Sequence, residues 1–129
     1  MKKSVGSVFL LVICAALITV TSGCREPVTV FQVNDVVSDP GAFDKPLTLE
    51  GVVYTRAKGD MSIVGMMDKK ELQCTTPNCN KALMAVKVSE TSLSIGDEIK
   101  VTGTIVKESW GYLLKADQIK VVANHKFGA

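Results

Sequence analysis

The chain has 129 residues, with fifteen Lys and Arg against thirteen Asp and Glu. Lys2 and Lys3 fall in an N-terminal leader, so the 106 residues from Cys24 onward carry thirteen charges of each sign and no net charge. That length supports one domain around one core, and the neutral balance lacks the cationic footprint of a nucleic-acid binder.

In chain order, Lys2 and Lys3 precede "VGSVFLLVICAALITV", sixteen uncharged residues from Val5 to Val20, and then the small polar run "TSGC". A basic start, an apolar stretch and a small-residue site describe a secretory signal. The apolar stretch is shorter than the roughly 20 residues that a membrane-spanning helix needs. "TSGC" resembles the lipobox of bacterial lipoproteins, with Ser22 and Gly23 before the cut and Thr21 where the pattern prefers an aliphatic residue. The resemblance implies a signal peptide over 1–23 and Cys24 as the lipidated N-terminus, bearing diacylglycerol and palmitate. A tether over 24–30 and a domain over 31–129 would follow. Several acyl chains together hold a protein stably on a membrane. The expected location is the cell envelope, on a membrane facing the periplasm or the cell surface.

After "REPVTV" at 25–30, Val33, Val36 and Val37 recur at helical spacing, which predicts a short helix over 33–38. Asp39-Pro40 reads as the cap and first position of a second turn. From Leu47 the period changes to two. "LTLEGVVYTR" (47–56), "MSIVGMMD" (61–68), "ALMAVKVS" (82–89), "DEIKVTGTIVKE" (97–108) and "YLLKADQIKVV" (112–122) predict five strands, with "SWG" as the last hairpin turn.

The loop 69–81 carries "QCTTPNC". With Cys14 in the leader and Cys24 lipidated, Cys74 and Cys79 remain as a pair in an oxidising compartment. The expectation there is a disulfide that braces the loop. Metal at these thiols stays open, although a closed zinc site needs a second ligand pair. The C-x₄-C spacing differs from the C-x-x-C of thiol-redox motifs.

Five short strands in about 75 residues bury their edges best by closing into a barrel, and mid-strand Gly51 and Gly103 mark its bends. The pattern "LTLEGVV … IGDEIKVTGTIVK … GYLLKADQIKVV" resembles the tRNA-anticodon-type OB family, including its exported, lipoprotein-associated members. The fold expected is therefore all-β: a small five-stranded OB-type Greek-key barrel with a short N-terminal helix. The sequence departs from that family in two places. The helix usual between strands 3 and 4 shrinks to "SETSLSIGD", and the Cys loop replaces a short connection.

OB-folds bind on the face of their second and third strands and with the flanking loops. Here that face carries no aromatic residue for base stacking but does carry Met66, Met67 and Met84, with Trp110 on the last hairpin, as the candidate ligand face. Thioether and imidazole suit soft metals. The chain thereby resembles periplasmic OB-fold copper chaperones, with Met66, Met67 and His125 as the alternative metal ligands. "ADQIKVVANHK" is faintly similar to the His-bearing tail of membrane-anchored haem chaperones. Adjacent Met66 and Met67 must point to opposite faces of a strand, and Met is also a flexible core filler. No nucleophile turn, P-loop or paired carboxylates are present, so no enzyme, catalytic residue, metal or cofactor is expected. The function expected is non-catalytic binding of an envelope protein, peptide or glycan. A copper or haem chaperone and a nucleic-acid-binding-like OB protein are the alternatives.

Overall fold

The computed structural model describes residues 27–74, 81–89 and 92–126. The leader, Cys24 and Cys79 lie outside the described residues, so the lipid anchor and the Cys74–Cys79 pairing stand as expectations. Among the described residues, no helix is long and apolar enough to cross a membrane.

Helix α1 (Val33–Ser38) forms where the valine spacing predicts it, with Val33 and Val36 fully buried. The Asp35 carboxylate accepts the Gln32 N–H at 3.3 Å, satisfying a backbone donor at the helix entry. Asp39-Pro40 ends the helix and opens a 3-10 turn over Pro40–Ala42. The strands are β1 (Val30–Gln32), β2 (Leu47–Arg56), β3 (Ile63–Met67), β4 (Leu83–Lys87), β5 (Asp97–Glu108) and β6 (Gly111–Asn124).

They hydrogen-bond in the order β1-β2-β3-β4-β6-β5, and β5 returns to β2, which closes the five longer strands into the expected OB-type barrel. The sixth strand departs from the five-strand expectation. β1 continues the segment read as a tether and runs parallel to the start of β2, pairing Val30 with Thr48 and Gln32 with Glu50. Three residues are too few for alternation to announce a strand.

Alternation along each strand sends one set of side chains inward. Leu49, Val53, Val64, Met66, Met84, Val86, Ile99, Val101 and Leu114 meet in one core, joined by Val33 and Val36 of α1. Leu93, from the segment where the usual helix has shrunk, completes the packing. Both marked glycines are required by close backbone approach. A Cβ on Gly103 would sit 2.0 Å from the Lys115 carbonyl oxygen, where the β5–β6 register shifts. A Cβ on Gly51 would meet a Val33 methyl at 2.6 Å and the Met67 carbonyl oxygen at 2.7 Å.

Asp68 locks the end of β3 to its surroundings. Fully buried, its carboxylate accepts the Lys70 N–H at 2.9 Å and the Asn34 N–H at 3.0 Å. It thereby caps a 3-10 turn over Lys69–Gln73 and holds the first turn of α1.

Candidate functional site

A groove of about 520 Å³ crosses the outer face of β3 and β4, within the size range of ligand sites. Its floor follows from register and side-chain size. Val64 and Met66 point into the core, so Gly65 between them faces out, and so does Ala85 between Met84 and Val86. Gly65 pairs with Ala85 on one side and with Thr55 of β2 on the other. Thr55 reaches that level because β2 carries a bulge between Val53 and Thr55, which re-aims the chain. Three small side chains in a row leave a trough running across the strands. It is tight, since a Cβ on Gly65 would meet the Thr55 methyl at 2.8 Å and Leu83 Cδ1 at 3.5 Å.

Two walls rise from this floor. On one side stand Leu83 and Trp110, the latter 60% exposed on the tip of the β5–β6 hairpin. On the other stand Ile63 and the turn 57–62 with Asp60. That turn is held in place. Arg56 donates from Nη1 to the Met61 carbonyl at 2.9 Å and from Nη2 to the Leu93 carbonyl, tying the turn to the segment before β5. The Ser62 hydroxyl and backbone N–H donate to Asp60, and these bonds hold its carboxyl below the usual carboxylate range. Lys87 Nζ lies 3.7 Å from the same carboxylate. Tyr54, thrown outward by the bulge, has the Lys81 ammonium 4.7 Å above its ring.

The methionines stand elsewhere than on a ligand face. Met66 and Met84 are packed in the barrel core, and Met67 is fully buried. The expectation that Met66, Met67 and Met84 present sulfur to a ligand is therefore corrected, because the alternation that turns Gly65 and Ala85 outward turns Met66 and Met84 inward. Trp110 lines the groove. His125 lies apart, with its Nε2 2.7 Å from Glu98 Oε2. Met66 inside the barrel, Met67 on the opposite face of the strand and His125 at Glu98 do not converge, which corrects the alternative ligand set. Among the described residues, no three His, Cys, Asp or Glu side chains gather as a metal site. Cys74 ends the Lys69–Gln73 turn, with its N–H donating to the Glu71 carbonyl at 3.1 Å.

A charged cluster surrounds Glu98, whose side chain is nearly buried. Lys69 Nζ lies 2.9 Å from its Oε1 and His125 2.7 Å from its Oε2, while Glu50 meets Lys100 at 3.5 Å. Hydrogen bonds from His125 and then Lys69 hold the Glu98 carboxyl below its ordinary range. Glu98 in turn raises Lys69. This network ties the turn after β3 and the tail after β6 to the barrel. A second cleft of about 660 Å³ lies over Thr48 and Thr102, whose hydroxyls bond each other at 2.9 Å. Its lining includes Lys100, Asp117, Gln118 and Lys120, and no aromatic residue.

Comparison with known proteins speaks to the fold. No family model matches the sequence, and no curated protein matches it. Solved structures do match, 37 chains in all, so the shape recurs where the sequence does not. The hypothetical protein ygiW from E. coli is 16% identical, with a TM-score of 0.51 over 73% of this chain and 90% of that one. The barrel is an OB-fold. The Entamoeba histolytica asparaginyl-tRNA synthetase is 10% identical, with a TM-score of 0.49 over 78% of this chain and 25% of that one. The S. pombe Stn1-ten1 complex is 11% identical, with a TM-score of 0.47 over 75% and 78%. At such identities the likeness is one of fold and does not extend to a ligand.

The groove was partly missed from sequence. The mid-strand position of Gly65 is a signal that could have marked close approach, whereas the bulge at Tyr54 that brings Thr55 beside it leaves no mark in an alternating run.

Proposed function

We propose that this protein is a lipid-anchored envelope protein whose OB domain is a non-catalytic binding module, taking a segment of an envelope macromolecule into the β3–β4 groove. One observation carries the reading. An apolar trough with a floor of Thr55, Gly65 and Ala85 lies between an exposed Trp110 and a braced turn, on the face that OB-folds use for ligands. Tryptophan is among the residues that most often carry binding energy in protein recognition, once a partner covers it. A turn already fixed by Arg56 and Asp60 lowers the ordering cost of binding.

The small floor favours an extended chain that lays one side chain on Gly65 and Ala85. The ring at the groove, Trp110, stands on its wall and not on its floor, and the chain beyond the leader has no net charge, so the reading favours a protein or peptide segment over a nucleic acid. The Cys74–Cys79 disulfide and the Cys24 anchor are part of the proposal. They are supported by the cysteine arithmetic and the leader pattern.

Trp110 is the only tryptophan in the chain, so its emission reports the groove without a label. Saturable change on titration with extended peptides, absent in Ala85→Trp read by calorimetry, is the expected result. Binding that survives Ala85→Trp unaltered would remove the groove from the account. An intact mass of the protein extracted from its own membranes tests the rest. A lipid adduct on Cys24 and two missing hydrogens at Cys74 and Cys79 are expected, and an unmodified Cys24 or free thiols would contradict them.

A further inference from the structure

We infer that the groove selects an acidic extended segment, one that alternates apolar residues with carboxylates; this rests on the groove being the binding site. The ground is the charge placed around the trough. Val86 and Leu114 point into the core, so their neighbours Lys87 and Lys115 both face out, exposed and side by side across the β4–β6 pairing. Like charges placed opposite one another on a sheet destabilise it, and here they flank the trough two residues beyond Ala85. Lys81 stands over Tyr54 on the exposed bulge of β2. Against Lys81, Lys87 and Lys115, the turn 57–62 contributes one carboxylate, Asp60, which already accepts from Ser62 and sits beside Lys87.

The cluster around Glu98 is unlike this. Around Glu98, positive and negative groups alternate and pair: Lys69 with Glu98, and Lys100 with Glu50. The flank of the groove thus carries more positive than negative groups in a chain that is neutral beyond its leader. An apolar trough flanked by lysines complements a strand-like segment whose alternate side chains are apolar and acidic. The apolar side chains would lie on Gly65 and Ala85 with the carboxylates on the segment's other face, and the long, exposed Lys87 and Lys115 side chains beside the trough would reach up to them.

Three capped nonapeptides test it, alternating Leu with Glu, Gln or Lys and titrated against Trp110 emission in the intact protein in nonionic detergent. The Glu peptide is expected to bind about tenfold more tightly than the Gln peptide, with the Lys peptide weakest, and to weaken with added salt. Lys115→Glu is expected to remove most of the preference, and Lys87→Glu combined with Lys115→Glu to reverse it. Both positions are exposed, and thermal unfolding checks that the variants remain folded. Equal binding of the three peptides would overturn the acidic preference and leave the groove reading intact. No binding of any would overturn both. Tighter binding of an oligo-dT or a polyuronate oligosaccharide than of the Glu peptide would overturn the inference in favour of another anionic polymer.

Discussion

Trp110 occupies a two-residue turn, mostly in water, and its indole is poised over a groove of small side chains. Its loss therefore costs the fold little and the ligand much. Trp110→Ala is expected to change folding stability by less than about 0.5 kcal/mol and to weaken groove binding by at least about 2 kcal/mol; urea unfolding and peptide titration on the same preparation check the pair. Met66 is the converse. Buried in the core beside Val64 and Met84, it fills space, so Met66→Ala should cost about 2–5 kcal/mol and Met66→Leu less than about 1.5 kcal/mol, both read from urea midpoints. A Met66→Leu variant that loses binding while staying folded would restore sulfur to the site. Glu98 sets an acid limit. Its carboxyl titrates below its ordinary 4.5 because His125 and Lys69 bond the charged form. The stability it contributes is complete above that ordinary value and is lost as the pH falls through the lowered one. The difference in urea midpoint between the wild type and Glu98→Gln should accordingly be largest near neutrality and vanish in acid. A difference that stays constant as the pH is lowered into the acid range would contradict the network.

Among the elements, β3 does the most to place the site. Its inward Val64 and Met66 hold it in the barrel, its outward Gly65 forms the groove floor, and Asp68 at its end bonds both α1 and the following turn. Asp68→Ala leaves the Asn34 and Lys70 N–H groups without that acceptor. It should cost about 1–3 kcal/mol, with faster hydrogen exchange at both amides as the check. The same strand shows how much was legible in the sequence. Its position, the α1 span and the full length of β2 and β5 follow from period and turn signals, because local spacing alone sets them. The direction of its methionines does not, since "GMM" reads equally well with either face inward until the register to β2 and β4 decides it. Three-residue β1 and the turn over Lys69–Gln73 were illegible for another reason. Both are held by tertiary partners, Thr48 and Glu50 for β1 and Asp68 for the turn, and carry no periodicity of their own.

At the scale of the whole molecule, one closed barrel carries two unlike outer regions. Around Glu98, charges pair off and fasten the chain's later segments to the barrel. Across β3 and β4, an apolar trough is left open between Trp110 and the braced 57–62 turn, with Lys87 and Lys115 beside it. The proposed function uses the second region, with shape and local charge acting together at one face. The most direct measurement is amide chemical-shift mapping of the protein with the alternating Leu–Glu peptide. Saturating shifts concentrated at Thr55, Gly65, Ala85 and Trp110 are the predicted result. Shifts concentrated instead at Val30, Thr102 and Gln118, across the cleft over the Thr48–Thr102 hydroxyls, would contradict the account.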